Sequence, residues 1–257
     1  MKILNKKFSY SAFLNRLQYA QEKVLMLDYD GTLAPFTTKR ETAFPYPGIK
    51  NTLEKISRTK KTKIIIISGR KANEIVNLLD MEQQPEIWGS HGLENLTHDG
   101  VYQAVPMDKT IEKLLEVTYL ELKKCTPEEQ LEKKYGSIAI HWRGMQEFEA
   151  NQFHTCIQEK LYQALLSNQF HIYNFDGGME LRYKEANKGN VVKKILSEAS
   201  TETMFSYLGD DYTDEDAFKL LGARGLSVLV REKLRSTYAH VWIKPPEELL
   251  NFLELWV

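Results

Sequence analysis

Residues Val24 to Thr32 read VLMLDYDGT, and this stretch decides the fold. Val24 to Leu27 are four consecutive apolar residues, the length and character of a short strand buried on both faces. Asp28, Asp30, Gly31 and Thr32 follow at its carboxyl end. Two carboxylates one residue apart, just past a buried strand, are costly unless solvated, paired or metal-bound. Open α/β sheets bind ligands outside the carboxyl ends of their strands. The segment therefore predicts an α/β fold and a candidate site together.

The flanking chain repeats the pattern. Apolar residues at Phe8, Phe13, Leu14, Leu17 and Ala20 have helical spacing, with Ser9 or Ser11 as a cap. After a proline-containing loop over 34–47, Ile49, Leu53 and Ile56 mark a helix. Lys63 to Ile67 is a second buried strand, ending at Ser68, Gly69 and Arg70, and a helix with Ile75, Val76, Leu78 and Leu79 follows. Trp88 to Glu94 reads as another strand end with two glycines in its turn.

The middle of the chain differs. A helix over 110–122, a strand over 137–142, a long amphipathic helix over 148–166 and a hairpin over 170–183 give helices alternating with hairpin strands. Residues 103–183 are accordingly expected as an inserted α+β domain, with 1–102 and 184–257 forming the core. The core pattern resumes with a helix from Asn187-Lys188-Gly189, a strand over 204–208 ending in Gly209-Asp210-Asp211, and further strands near 226–230 and 241–243.

Composition narrows the function classes. The 34 Lys and Arg against 35 Asp and Glu leave a formal charge of -1, so no global field draws the chain to nucleic acid or an anionic membrane. No basic stripe with interleaved aromatics appears. The N-terminus lacks the continuous apolar run of a cleaved signal, and no stretch is long enough to span a bilayer; a cytoplasmic protein is expected. Cys125 and Cys156 match no metal or redox spacing and read as buried thiols.

Asp28 and Asp30 end one strand, and Asp210, Asp211 and Asp214 follow another. Parallel strand ends converge, and carboxylates without a matching histidine or cysteine cluster favour a hard cation, Mg²⁺ before Zn²⁺. Magnesium beside a nucleophilic carboxylate suits phosphoryl transfer through an aspartyl phosphate. A second carboxylate two positions on can act as general acid and then base. Ser68, with backbone N–H groups of the following helix, and Lys188 are candidates to hold a phosphoryl group.

Asp28-Tyr29-Asp30-Gly31-Thr32 resembles the first motif of the haloacid-dehalogenase-like (HAD) phosphatases. The Ser68, Lys188 and Gly209-Asp210-Asp211 segments resemble the other three, in order. The resemblance implies a Rossmann-like core with a mostly parallel sheet and a cap between the second and third motifs. It implies Asp28 as nucleophile, Asp30 as general acid/base, and Ser68, Gly69 and Lys188 as phosphate-binding groups. Asp28, the Asp30 carbonyl and Asp210 would hold Mg²⁺, with Asp211 and Asp214 supporting.

The segments DYDGTLAP, ISGR, GSHGLE, SIAIHWR and LGDDYTDEDAF resemble the trehalose-6-phosphate phosphatase family more specifically. Trp142 stands where that family tends to have tyrosine, and Tyr183 where it often has proline. The implied reaction is hydrolysis of trehalose 6-phosphate to trehalose and phosphate by a monomer. Arg70, His91, Glu94, Lys134, Arg143, Glu180 and Asn187 are the substrate-binding candidates, and the cap is expected to open for the sugar phosphate and close over it. The alternatives are a related phosphatase acting on sucrose 6-phosphate or a glycosyl or mannosyl 3-phosphoglycerate, and a non-catalytic sugar-phosphate-binding protein.

Overall fold

A computed structural model describes the chain except Thr38, Arg143, Gly144, Gln146 and Asp176; residues 147–155 and Phe175 are described by backbone alone. In chain order the elements are β1 (Lys2–Ile3), α1 (Tyr10–Tyr19), β2 (Lys23–Leu27), α2 (Ile49–Arg58), β3 (Thr62–Ile67), α3 (Ala72–Leu79), β4 (Glu86–Gly89), β5 (Glu94–Leu96) and β6 (Tyr102–Ala104). Then come α4 (Lys109–Leu122), β7 (Leu131–Lys134), β8 (Ser137–His141), α5 (Glu147–Leu166), β9 (Phe170–Phe175) and β10 (Gly178–Tyr183). The chain closes with α6 (Lys188–Glu198), β11 (Met204–Gly209), α7 (Glu215–Leu221), β12 (Gly225–Val230), β13 (Val241–Ile243) and α8 (Glu247–Glu254). Two compact units result: Met1–Gln103 with Asn187–Val257, and Ala104–Ala186.

The larger unit is built on a nine-stranded sheet of order β1-β13-β12-β11-β2-β3-β4-β5-β6. The run from β13 to β4 is parallel, while β1 and β5 pair antiparallel with β13 and β4. From β2 the chain proceeds outward through β3 and β4 on one side, and later through β11, β12 and β13 on the other. The carboxyl end of β2 is thus the switch point at which a crevice opens between diverging connections. Leu27 is in register with Leu208 on one side and with Ile66 on the other, so Asp28, Ser68 and Asp210 follow neighbouring strand ends.

Strand alternation explains why the central strands β2 and β3 are apolar on both faces. Leu25, Leu27, Ile64 and Ile66 share a core with side chains of α2, α3 and α8. Val24, Met26, Ile65 and Ile67 share the other core with side chains of α6 and α7. Successive residues point to opposite faces, and helices cover both. The expected first helix begins on its expected cap, with Ser9 Oγ accepting from Ala12 N.

The smaller unit is an antiparallel sheet of order β7-β8-β10-β9. Ile138, Ile140, Met179 and Leu181 pack with Leu115 and Leu122 of α4 and Ile157 and Leu161 of α5. Alternation along the same strands sends Ser137, Glu180 and Arg182 to the opposite face. The EKK run at 132–134, for which the sequence shows no strand periodicity, forms β7 with Leu131.

The cysteines are a correction. Cys125 and Cys156 are not buried thiols: both are half-buried and joined as a disulfide across 31 residues, with Cα atoms 6.8 Å apart. Cys156 lies on α5 and Cys125 just beyond the end of α4, and packing of these helices brings the two together. Sequence spacing carries no trace of it, because the proximity is tertiary.

Candidate active site

The acidic centre assembles at the carboxyl ends of β2 and β11. Asp28 is buried, its N–H donating to Leu208 O at 2.9 Å, which locks it to the end of β11. Its Oδ1 accepts from Lys188 Nζ at 2.6 Å, and its Oδ2 accepts from Thr32 Oγ1 at 3.3 Å. Lys188 is the first residue of α6, and its ammonium is shared with Asp214 Oδ1 at 2.7 Å. Burial raises the Asp28 carboxyl to about 7, against the pull of Lys188 and with the push of Asp214. Burial alone would discharge Lys188, but Asp214 and Asp28 outweigh it and hold the ammonium charged.

Asp210 and Asp214 have opposite characters. Asp214 is fully buried and saturated: Oδ1 accepts from Lys188 and from Tyr207 Oη at 2.6 Å, and Oδ2 accepts from the N–H groups of Asp210 and Asp211 at 3.0 Å each. Four donors fill the acceptor sites a carboxylate offers. Asp211 completes a reciprocal capping box with Asp214. Asp210, by contrast, is 2 % exposed, and its Oδ2 is buried without a hydrogen bond. Burial, followed by the charges of Asp28 and Asp214, raises its carboxyl well above the ordinary value.

Oxygens of Asp28, Asp210 and Asp214 all lie within 4.8 Å of one another. A hard divalent cation fits this set: the donors are carboxylates, one oxygen is orphaned, and the clustered negative charge exceeds what Lys188 offsets. Asp28 and Asp210 are the members with capacity to ligate, whereas Asp214 is spent on its four donors. Gly31 belongs to the same corner. Its φ is +79°, and a Cβ there would sit 2.4 Å from Asp210 Oδ2. Only glycine permits both the left-handed backbone and the close approach.

Arg70 and Asp30 form the second feature. Arg70 donates Nε to Asp30 Oδ2 and Nη2 to Asp30 Oδ1, each at 2.7 Å, a two-point fork. Its Nη1 donates to Arg40 O at 2.8 Å. Burial opposes the guanidinium charge, but Asp30 outweighs it. Arg70, one of the expected substrate ligands, therefore grips the expected acid/base.

Ser68 follows β3 and is buried; its Oγ accepts from Arg70 N at 3.1 Å, which leaves its O–H as a donor. His91 N donates to Ser68 O at 2.9 Å, with His91 in the left-handed region at φ 56°. Its ring lies against Gly69, where a Cβ would come within 2.5 Å of His91 Cε1. Gly69 is therefore required for the histidine to pack on the Ser68 turn.

Two further expected substrate residues do structural work. Glu94 accepts from Ala72 N at 2.9 Å and from Ser90 Oγ at 3.0 Å, tying the start of α3 to the β4–β5 turn. Asn187 caps α6 through Gly189 N at 2.7 Å and donates Nδ2 to Asp216 at 2.8 Å. Both side chains hold loops: the Glu94 carboxylate reaches from the start of β5 to the first N–H of α3, and Asn187 is itself the N-cap of α6, where the free N–H groups need acceptors.

In the smaller unit, Glu180 joins Lys134. Its Oε1 accepts from Ser137 Oγ at 2.7 Å and pairs with Lys134 Nζ at 2.9 Å; its Oε2 accepts from Arg182 at 2.5 and 3.1 Å. Arg182 stacks on Tyr173 with its Cζ 4.2 Å from the ring centroid. Arg143 lies outside the described residues.

Tyr207, Arg231 and Arg235 escape the sequence reading. Tyr207 looks like an ordinary apolar strand residue. The arginines lie in an irregular segment after β12, and no local pattern points them at Asp210.

Among known proteins, the sequence profile of the trehalose-phosphatase family matches residues 26–240. "Probable trehalose-phosphate phosphatase H" of Arabidopsis thaliana is 28% identical over 93% of this chain and 72% of its own length. The chain spans 64% to 72% of the length of such plant relatives. Solved structures share the fold. The C-terminal domain of Candida albicans trehalose-6-phosphate phosphatase aligns with a TM-score of 0.78 at 21% identity, covering 100% of this chain and 99% of that one. The C-terminal domain of the Candida albicans trehalose synthase regulatory protein aligns with 0.71 at 12% identity, covering 99% and 100%. Both neighbours share the fold, so the fold alone does not separate a phosphatase from a regulatory protein, and the side chains must. By its profile match over most of its length, this chain belongs to the trehalose-phosphatase family.

Proposed function

We propose that the chain is a Mg²⁺-dependent phosphatase that hydrolyses trehalose 6-phosphate through an aspartyl phosphate on Asp28. The observation that carries this reading is the orphaned Asp210 oxygen beside Asp28, whose charge Lys188 partly offsets. Asp28, the Asp30 carbonyl and Asp210 would hold Mg²⁺, which when bound supplies Lewis-acid polarisation of the phosphoryl group.

Asp28 attacks phosphorus while the bond to the sugar oxygen breaks. Asp30, entering the step protonated at a lone pair that the Arg70 fork leaves open, delivers that proton to the leaving oxygen, because an alkoxide is a poor leaving group without one. Asp30 then takes a proton from the water that attacks the acyl phosphate, releasing phosphate and restoring Asp28. The Ser68 O–H, the Gly69 N–H and the Lys188 ammonium hold the phosphoryl oxygens as negative charge redistributes. Asp214 keeps Lys188 aimed at Asp28, and Asp211 fixes Asp214. Arg70 acts here through Asp30.

Selectivity for the sugar is assigned to the 103–183 insert, and within it to Lys134 and Glu180, whose cluster with Ser137 and Arg182 offers acceptors and donors matched to sugar hydroxyls. The test is released phosphate from a panel with Mg²⁺ present. Trehalose 6-phosphate is expected to turn over fastest. Faster turnover of sucrose 6-phosphate or mannosyl 3-phosphoglycerate overturns the substrate, and no turnover of any ester overturns the enzyme.

A further inference from the structure

The loop bearing Asp210 is gripped by two arginines in different ways. Arg235 donates Nε and Nη2 to Asp210 O at 3.2 Å each, while its Nη1 donates to Ser236 O at 2.8 Å and pairs with the Glu215 carboxylate. Its side chain is 10% exposed. Glu215 also accepts from Tyr238 N at 2.8 Å, so Arg235 is pinned in a closed set of partners and its charge has a dedicated carboxylate.

Arg231 is held loosely. Its Nη1 donates to the same carbonyl at 3.3 Å and stands 3.7 Å from Asp210 Oδ2, and its side chain is 40% exposed. The contact with Oδ2 is longer than a hydrogen bond and is electrostatic only. Oδ2 is the buried oxygen that makes no hydrogen bond, and Lys188 is engaged with Asp28 and Asp214. Among the described residues, the nearby positive charge that can leave this corner for water at little cost is Arg231.

We propose that Arg231 is a displaceable counter-cation of Asp210: its guanidinium partly neutralises Oδ2 and gives way when a divalent ion takes that oxygen. The proposal rests on the reading of Asp210 as a cation ligand. Arg235 is the fixed strut that keeps the loop in place during the exchange. The two arginines touch one carbonyl yet have opposite effects on cation affinity, because one opposes the incoming charge and the other holds its ligand.

Mg²⁺ and Mn²⁺ titrated calorimetrically into the substrate-free protein test this. Arg231→Gln is expected to tighten binding by about threefold to tenfold at low ionic strength, the gain shrinking as salt screens the pair. Arg231→Lys, which keeps the charge, is expected to stay within about twofold of wild type on the same electrostatic ground. Arg235→Gln is expected to weaken binding. Unchanged or weaker binding in Arg231→Gln overturns the proposal, since a purely structural arginine could only lose affinity on removal. If Arg231→Gln does not fold by circular dichroism, Arg231→Lys and the salt dependence of wild-type affinity decide: wild-type affinity that does not respond to salt overturns it. Asp210→Asn tests the underlying reading separately, because wild-type affinity there removes Asp210 as a ligand whatever Arg231 does.

Discussion

Arg70 holds Asp30 by both carboxylate oxygens, at 2.7 Å and 2.7 Å, and is itself anchored to Arg40 O. A fork of this kind fixes the plane and direction of the carboxylate, so Arg70 is a positioning residue for the proposed acid/base. Arg70→Gln is expected to cut turnover of a sugar phosphate by about a hundredfold, within the range general acid catalysis supplies. An aryl phosphate whose leaving group needs no proton is expected to lose about tenfold or less on the same ground. Equal losses on both esters, measured as kcat at saturating substrate, would assign Arg70 a merely structural role.

Asp28→Asn is expected to abolish phosphate release while substrate binding largely survives, because an amide is a poor nucleophile of similar shape. Calorimetry with the ester, beside a phosphate-release assay, checks both halves. Appreciable turnover in that variant rules out the aspartyl-phosphate route.

Lys188 shares one buried ammonium between Asp28 and Asp214. Lys188→Met removes the compensating charge and is expected to cost about 3–5 kcal/mol of stability, the range for breaking a buried pair. Mg²⁺ is expected to restore part of this by replacing positive charge. Chemical denaturation with and without Mg²⁺ measures it, and a variant as stable as wild type without metal would contradict the pairing.

The Asp28 carboxyl, pushed by burial from an ordinary 3.8 to about 7, gives the metal-free protein a pH dependence. Between these values the folded state binds more protons than the unfolded state, so this group makes stability fall as pH rises from about 4 to about 7 and leaves no further slope above. Cation binding to the carboxylate then releases a proton below about 7. Calorimetric Mg²⁺ titrations in buffers of different ionisation heat should show proton release at pH 6 that decreases toward pH 8.5 as Asp28 ionises before the cation binds.

Lys134 and Glu180 pair at 2.9 Å on the polar face of the smaller sheet. Lys134→Ala is expected to impair trehalose 6-phosphate far more than a small aryl phosphate; equal losses would remove Lys134 from specificity. In the same unit, Cys125→Ser with Cys156→Ser is expected to cost about 3–4 kcal/mol from the freed 31-residue loop, read by thermal melting with and without reductant.

Local signals were enough for the frame of this protein. The apolar runs at Val24–Leu27 and Ile64–Ile67, each followed by polar turn residues, determined strands buried on both faces and the end at which chemistry belongs. The residue types Asp28, Asp30, Ser68, Lys188 and Asp210 carried the kind of reaction expected there. Only the tertiary structure decided how those groups divide the work. Asp210 and Asp214 are four positions apart and alike on paper, yet one has an orphaned oxygen and the other is saturated by four donors. Arg70 looked like a substrate ligand and grips Asp30; Glu94 accepts from the first N–H of α3 and Asn187 caps α6; Cys125 and Cys156 join; Arg231 and Arg235 converge on a carbonyl 21 and 25 residues away. The physical reason is common to all. Strand and helix periodicity is a local property of backbone and burial, whereas the partner of a charged or hydrogen-bonding side chain is set by which loops meet in space.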